Sequence, residues 1–290
     1  MSARYRIRHE LEFRYDAPVR GSVMTLFLSP VRDRRQQLRS FSIETDPGGA
    51  VLEFRGPFGN RGHFFDRPGS HRALRIVARS RVEVSPPEAV PGDPGPGSWE
   101  ALASEIRAPQ LWLMLQPSRF AQPSSAALAR FVSARGIEKR DDVMGSIRAL
   151  LARIYEAFEF SPGITAADSP IEHILETGRG VCQDYAHVMI SVLRGWGVPT
   201  RYVSGYLGPH GDLTSTNESH AWVECWLPGS GWRGFDPANN CDCDERHVRA
   251  AVGRDYADVP PVRGVFRGSA NSALAARVEV VRDGQDGTEP

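Results

Sequence analysis

A cysteine, a histidine and an aspartate occur in that order in the second half of the chain, each in a setting that suits catalysis. Cys182 follows a glycine-rich stretch, His220 opens a tryptophan-containing stretch, and Asp236 is followed by proline. A thiolate can attack a carbonyl carbon, an imidazole can move the proton, and a carboxylate can orient the imidazole. Together these residue types predict a nucleophilic triad of Cys182, His220 and Asp236.

The position of Cys182 favours activation of its thiol. A buried helix is predicted from Cys182 to Gly195, directly after the loop glycines Gly178 and Gly180. The N-terminus of a helix carries a positive partial charge and unsatisfied N–H groups, which favour a thiolate over a thiol. The backbone N–H of Cys182 and the side-chain amide of Gln183 are therefore candidate donors to an oxyanion.

The segments around His220 and Asp236 predict a β-hairpin. Alternate residues of a strand share a face, so His220 and Trp222 point one way, as do Gly234 and Asp236 on the return strand. We expect His220 directly opposite Asp236, across a loop of odd length around residues 228–231. Trp222, on the face of His220, is a candidate for the sheet core or the substrate-binding wall.

The rest of the chain divides into two predicted domains. Short alternating strands punctuated by glycine and proline occupy residues 1–85, which is typical of a β-sandwich-like domain. Residues 86–97 are rich in proline and glycine and predict a stiffened linker. Residues 98–290 combine helices and strands and form the predicted α+β catalytic domain. Its other predicted elements are helices at residues 98–105, 124–134, 141–158 and 169–177, and strands at residues 201–207 and 275–281.

Composition and charge exclude several functions. The chain has 290 residues, of which 41% are hydrophobic and 24% charged, and a formal net charge of zero, so no overall field favours nucleic acid or an anionic membrane. No apolar run approaches the ~18–20 residues that cross a bilayer, and the N-terminus lacks the apolar stretch of a secretory signal. We expect a cytoplasmic protein with free thiols that binds neither nucleic acid nor membranes. No pattern predicts its oligomeric state.

Two polar residues on the Cys182 helix have structural interpretations. Asp184 is an acid in the first turn, where a carboxylate supports the helix N-terminus. His187 lies five residues along the helix from Cys182 and therefore points away from it. We expect His187 to pack or form hydrogen bonds rather than serve as a second base.

The remaining cysteines raise the alternative of a metal site. Cys241, Cys243 and His247, with Cys225, contain the donor types of a soft-metal site. A Cys-x-Cys pair is weaker support than paired Cys-x-x-Cys motifs, and Cys225 should face away from His220. We therefore predict an exposed, oxidation-prone loop here, with no metal or cofactor.

Several segments resemble the transglutaminase-like cysteine enzymes. These are Gly180-Val-Cys-Gln-Asp-Tyr-Ala-His187, Pro199-Thr-Arg-Tyr-Val-Ser-Gly-Tyr206, Ser219-His-Ala-Trp222 and Phe235-Asp-Pro237, with further likeness at residues 160–165 and 253–264. Residues 1–85 resemble the β-rich N-terminal region of bacterial members. The resemblance implies a papain-like core, in which a helix carrying the nucleophile packs on an antiparallel sheet carrying histidine and aspartate. It makes Cys182 the nucleophile, His220 the base and Asp236 the orienting partner.

The favoured function is hydrolysis of an amide or peptide bond through a thioester acyl-enzyme, with a peptide, protein or amide as substrate. Transfer of the acyl group to an amine, as in protein cross-linking transglutaminases, is the alternative. A peptide-binding module without chemistry and a metal-dependent hydrolase are further alternatives, although the complete triad argues against the first. Residues 208–218, rich in glycine and polar residues, are expected to form a mobile rim of the cleft.

Overall fold

The computed structural model describes residues 2–88, 97–164, 169–209 and 218–283. Most of the predicted linker, most of the predicted cleft rim and residues 284–290 lie outside these ranges. The described chain forms a seven-stranded sheet, a five-stranded sheet and a two-stranded pair, together with helices.

The N-terminal region is built on one long strand, β1 (Ala3–Leu26), in which buried and exposed residues alternate along most of the length. The first part of β1 pairs antiparallel with β5 (His71–Val84), and its last part pairs with β4 (Arg61–Arg67). A register irregularity near the middle of β1 separates these parts, so this one strand pairs in both parts of the seven-stranded sheet. The remaining strands are β2 (Gln36–Asp46), paired with β5, and β3 (Leu52–Arg55), paired with β4.

The described chain ends in the same sheet in which it begins. Strands β13 (Val262–Arg267) and β14 (Ser272–Arg282) both pair antiparallel with β1. Val278 of β14 is buried in one apolar cluster with Tyr5 of β1. An unpaired strand edge exposes N–H and C=O groups, and these two strands satisfy the free edge of β1. Residues 98–290, predicted as one catalytic domain, therefore also supply two strands to the N-terminal sheet.

Helix α4 (Val143–Ala157) shows the predicted amphipathic pattern, and a side chain caps its start. The Asp142 side chain accepts a hydrogen bond from the N–H of Gly145 at the helix start. The apolar stripe of α4 is buried in the same core as α6 (Cys182–Gly195). No helix in the described ranges is long and apolar enough to cross a membrane. The other helices are α1 (Ser98–Glu105), α2 (Pro109–Leu113), α3 (Ala126–Ala134) and α5 (Ile171–Thr177), with a 3-10 helix at Tyr256–Asp258.

The five-stranded sheet carries helix α6 on one face. Its order is β11-β10-β9-β8-β12, and all of its pairs are antiparallel. Ala221, Val223 and Cys225 share one apolar cluster with the buried residues of α6. This arrangement confirms the predicted α+β fold class. The strands are β8 (Thr200–Leu207), β9 (His220–Leu227), β10 (Gly231–Asp236), β11 (Cys241–Asp242) and β12 (His247–Gly253), while β6 (Glu159–Phe160) and β7 (Arg179–Gly180) form the two-stranded pair.

The two larger sheets pack directly against each other. The hydroxyl of the buried Tyr206 donates to the carbonyl of Leu28 at 2.9 Å and lies 3.2 Å from Nδ1 of His9. The Gln36 side chain accepts from the N–H of Arg249 at 2.9 Å and donates to the carbonyl of the same residue at 2.7 Å. Buried polar contacts need defined geometry, so they fix the orientation of one sheet on the other.

Candidate active site

Cys182 is the first residue of α6, as the sequence predicts. Asp184 closes the helix N-terminus, because its carboxylate accepts a hydrogen bond from the N–H of Val181 at 2.8 Å. Gly180 permits the close approach of the preceding chain, since a Cβ there would lie 2.7 Å from Ile174 and 2.9 Å from Asp184. The half-buried thiol is therefore held at a well-defined helix end, where backbone N–H groups favour negative charge.

His220 and Asp236 share a face of the β9–β10 hairpin, but the register differs from the prediction. The ladder pairs Glu224 with Gly234, whereas a directly opposed His220–Asp236 pair would place Glu224 against Trp232. The expectation of direct opposition was therefore wrong by two residues. A shift of two residues keeps each side chain on its face, so His220 reaches Asp236 diagonally.

The hairpin loop sets this register. Leu227 pairs with Gly231, which leaves a loop of odd length, residues 228–230, as predicted. Gly229 and Gly231 have φ of 70° and 72°, a left-handed conformation that glycine adopts without steric cost. A three-residue loop closed by glycine is a common hairpin connection, and it places the strands two residues away from direct opposition.

The structure brings the three predicted triad residues together. Nε2 of His220 lies 2.6 Å from Oδ2 of Asp236, a distance typical of a charge-assisted hydrogen bond. The side chain of Cys182 is a second hydrogen-bond partner of the imidazole. Because Asp236 occupies Nε2, Nδ1 is the nitrogen left for the thiol. His220 is 7% exposed and Asp236 0% exposed, so their interaction is shielded from water.

The charges of this cluster reinforce one another. Burial alone would lower the pKa of His220, but the Asp236 carboxylate and the Cys182 thiol outweigh burial and raise the pKa to about 10. Burial would raise the pKa of Asp236, yet His220 and His247 hold that pKa well below its usual range. At neutral pH the pair is therefore an imidazolium and a carboxylate, and a positive imidazole beside a thiol favours the thiolate.

Two residues that were not predicted to support the triad also hold Asp236. Asn239 donates from Nδ2 to Oδ2 at 2.8 Å, and Nε2 of His247 lies 3.2 Å from the same oxygen. The backbone N–H groups of Ala238 and Asn239 donate to Oδ1 at 3.1 Å and 3.3 Å. Asn239 lies in the turn directly after Asp236 and Pro237, so its position in the sequence could have indicated a contact with Asp236. His247 lies on β12, and no local pattern connects it with Asp236.

Trp222 supports the histidines from within the protein. It is 2% exposed, and its ring centroid lies 6.1 Å from that of His220 and 5.3 Å from that of His247. Gly205 of β8 passes close to the indole, because a Cβ there would lie 2.5 Å from the Trp222 ring. Gln183, in contrast, is half-buried in the first turn of α6, one residue after Cys182.

His187 has the packing environment that the sequence predicts. Its ring stacks on Phe120 and Tyr202 with centroid separations of 5.3 Å and 5.2 Å. The backbone N–H of Tyr256 donates to its Nε2 at 3.2 Å. Burial lowers the pKa of His187 to about 4, so this ring is neutral and structural.

The thiols of Cys241 and Cys243 lie beside the triad. One ligand atom each of Asp236, Cys241 and His247 falls within 4.8 Å of the others. Both thiols are half-buried, so the prediction of a simply exposed loop was wrong for them. Cys225 lies in the core beneath α6 on the opposite face, as predicted. All four cysteines are free.

Two family descriptions match the chain. Residues 131–237 match the core of the transglutaminase-like superfamily, and residues 5–83 match the bacterial transglutaminase-like N-terminal region. An uncharacterized protein of Mycobacterium tuberculosis is 34% identical over 296 residues, which cover 96% of this chain and 92% of that protein. The chain therefore belongs to the transglutaminase-like superfamily, whose members are usually cysteine proteases or transglutaminases.

Two further similarities concern the fold and the core. The crystal structure of a proposed cysteine protease from Cytophaga hutchinsonii has a TM-score of 0.77 at 21% identity, covering 99% of this chain and 93% of that one. At this identity the likeness shows the fold. A protein-glutamine gamma-glutamyltransferase of Pseudomonas aeruginosa is 35% identical over 135 residues, which are 43% of this chain and 20% of that protein.

Proposed function

We infer that this protein is a thiol-dependent hydrolase of amide or peptide bonds, acting through Cys182, His220 and Asp236. One observation carries this inference: the buried His220 imidazole lies between the Cys182 thiol and the Asp236 carboxylate, 2.6 Å from the latter. This is the arrangement that converts a cysteine into a nucleophile and gives it a proton donor. Its position on a transglutaminase-like fold supports the same chemistry.

Acylation begins with attack of the Cys182 thiolate on the carbonyl carbon of the substrate. A C–S bond forms and the carbonyl electrons move to oxygen, where the backbone N–H of Cys182 and the amide of Gln183 are the candidate donors. As the oxyanion collapses, the His220 imidazolium gives its proton to the leaving nitrogen. The C–N bond then breaks, the amine departs, and a thioester remains on Cys182.

Deacylation uses the neutral imidazole that acylation leaves behind. His220 takes a proton from water, the resulting hydroxide attacks the thioester, and the acid product leaves as the thiolate re-forms. Asp236 holds the ring orientation throughout and stabilises each imidazolium. Asn239 and His247 hold Asp236 in turn.

Transglutamination is the second candidate, and the similarity of the core to a protein-glutamine gamma-glutamyltransferase favours it. The same thioester would form from a glutamine carboxamide, with release of ammonia. A primary amine would then replace water as the acceptor. For a glutamine carboxamide substrate, the two activities therefore differ only in the second half-reaction.

A peptide library containing glutamine and lysine, analysed by mass spectrometry with and without a fluorescent primary amine, tests both candidates. Wild-type protein is expected to give cleaved or deamidated peptides if it is a hydrolase, and amine adducts if it is a transglutaminase. Cys182→Ala should abolish either product, whereas Cys225→Ala, which removes a buried thiol elsewhere, should retain it. Full turnover by Cys182→Ala would refute both candidates.

Iodoacetamide labelling separates an enzyme from a binding module of the same fold. The proposed function expects Cys182 to be alkylated near neutral pH faster than Cys241 and Cys243, because only Cys182 lies beside a positive imidazole and a helix N-terminus. Peptide binding without turnover, combined with slow alkylation of Cys182, would instead support the module.

A further inference from the structure

We propose that a soft divalent cation, for which zinc is the best fit, binds to Asp236, Cys241 and His247 and switches the triad off. The proposal rests on the proposed function, because it assigns a regulator to the same site. A carboxylate oxygen, a thiol sulfur and an imidazole nitrogen come within 4.8 Å of one another here, and no other such group occurs in the described ranges. Carboxylate, thiolate and imidazole are ligands that zinc accepts.

The geometry requires little rearrangement. In a tetrahedral zinc site, oxygen and nitrogen ligands at ~2.0–2.1 Å from the metal lie roughly 3.3 Å from each other. Oδ2 of Asp236 and Nε2 of His247 are 3.2 Å apart. Cys241 stands directly opposite Asp236 in the β10–β11 ladder, and opposed residues of an antiparallel pair project to the same face. Binding would release the proton of the Cys241 thiol and the proton of His247 Nε2 to solvent.

The surroundings of His247 offer space for a water molecule and a carboxylate partner for the imidazole. A cavity of about 50 Å³ adjoins His247 and Cys243 and is also lined by Gln36 and Arg249. Since one water needs ~10–15 Å³, this cavity has room for a water molecule beside His247. Oδ1 of Asp244 lies 3.1 Å from Nδ1 of His247. A carboxylate behind a ligating histidine fixes its ring orientation and strengthens it as a ligand.

Metal binding and the triad compete for one oxygen. Oδ2 of Asp236 accepts the hydrogen bond from His220, and the same atom lies nearest to His247 Nε2. A cation at this position would neutralise the carboxylate and release the His220 ring from its orientation. Inhibition would thus reach Cys182 through His220, without any bond between the metal and the catalytic thiol. Loss of the orienting carboxylate in a triad costs up to about 10⁴-fold in kcat.

Binding is tested without turnover, in Cys182→Ala protein stripped of metal. Cobalt(II) is titrated as a spectroscopic probe, and zinc is then added to displace it. We expect one cobalt ion per chain with a thiolate-to-cobalt absorption band. Cys182→Ala/Cys241→Ser should lose the band and bind at least about tenfold more weakly, as loss of a ligand exceeds loss of an outer partner. Cys182→Ala/Cys225→Ala should bind as its parent does, and circular dichroism should show all three proteins folded.

Absence of the thiolate band, or an undiminished band in the Cys241→Ser protein, would overturn the metal site. This outcome leaves the proposed hydrolase intact, because its test is turnover without metal. Conversely, a protein without turnover can still bind cobalt at Asp236, Cys241 and His247.

Inhibition is tested on the wild-type protein with an amide substrate. Zinc should inhibit it, and magnesium and calcium, which prefer oxygen ligands, should not. Cys241→Ser should be active without metal and should need at least about tenfold more zinc for half-inhibition. Equal zinc sensitivity of the two proteins would overturn the proposal and place the inhibitory ion on the Cys182–His220 pair.

Discussion

At the scale of single residues, the site is organised by Asp236. A fully buried carboxylate is costly unless it is paired and hydrogen-bonded. Asp236 meets this condition through the side chains of His220, Asn239 and His247 and through two backbone N–H groups. The same contacts keep it ionised, and the ionised carboxylate keeps His220 protonated. Asp236 thus helps to set the protonation state of His220.

The pH dependence of catalysis should report this control. Acylation needs the His220 imidazolium, whose pKa is about 10, so the rate should fall as pH rises through that value. In Asp236→Asn the charge that raises the pKa is lost, so the alkaline limb should move to lower pH, with kcat reduced up to about 10⁴-fold. A pH–rate profile of both proteins measures this shift.

The control for this profile is Asp242→Asn, which changes an exposed acid of β11 that pairs with Arg148 of α4. Its profile should match that of the wild type. An alkaline limb in Asp236→Asn that coincides with the wild-type limb would show that Asp236 does not govern His220.

Asn239 is expected to act on the triad through Asp236. Its Nδ2 donates to Oδ2 of Asp236 at 2.8 Å, and a hydrogen bond to a charged group contributes about 1.5–3 kcal/mol. Because other donors remain, Asn239→Ala should lower kcat about tenfold, the effect of about 1.4 kcal/mol, with KM little changed. Asn240→Gly is the matched control, since Asn240 is exposed with φ 49° and glycine accepts that conformation. Equal kcat in the two variants would contradict this role.

At the scale of elements, the site depends on the register of β9 with its neighbours. The loop of residues 228–230 offsets β10 by two residues from the register in which His220 would lie directly opposite Asp236. On the other side of β9, Gly205 of β8 pairs with His220. A Cβ at Gly205 would lie 2.2 Å from the carbonyl of Val248 and 2.5 Å from the Trp222 ring. Strand β8 is therefore clamped between β12 and the indole that supports His220.

Gly205→Ala should lower both stability and activity. Overpacking a close contact costs about 1–3 kcal/mol and occasionally more, and a displaced Trp222 would move His220. Chemical denaturation measures the free energy of unfolding, and the amide assay measures kcat. Gly69→Ala, where an added Cβ meets nothing within 4 Å, should be close to wild type in both. A Gly205→Ala protein of unchanged stability would show that the clamp is absent.

At the scale of the whole molecule, the N-terminal sheet is part of the framework of the site. Its core is shared, because Tyr5 and Ile7 lie in one cluster with Tyr206 and Val248 of the five-stranded sheet. The last two described strands of the chain return to pair with β1. The two sheets should therefore unfold together, in one cooperative transition.

Gln36→Ala tests the contact between the sheets. The Gln36 amide makes hydrogen bonds with the N–H and carbonyl of Arg249 and with the carbonyl of Val31. Loss of these partners leaves buried backbone groups unsatisfied, so unfolding should become easier by at least about 1–3 kcal/mol. The control is Gln37→Ala, which removes a neighbouring amide. Among the described residues, the Gln37 side chain donates only to the carbonyl of Asp33. Calorimetry should show one transition in each; two separate transitions for the wild type would contradict the shared framework.

The sequence patterns did not predict some elements, for identifiable physical reasons. Strand β4 carries arginine at both ends and a glycine after the first, so its apolar alternation is short; its pairing with β1 maintains it. Helix α2 has five residues, too few for an apolar period to show. Strand β1 continues through an irregularity in its pairing between Arg14 and Val19, and such an irregularity is invisible until the partner strand is known.

The sequence by itself determined the family, the fold class and the residues that meet at the site. Cys182, His220 and Asp236 stand in local motifs, and strand parity alone placed His220 and Asp236 on one face. The tertiary structure decided the two-residue offset of the hairpin, the approach of His247 to Asp236 and the meeting of Cys241 with both. The physical reason is that capping and alternation act within a few residues, whereas contacts between β10, β11 and β12 depend on how the whole sheet assembles.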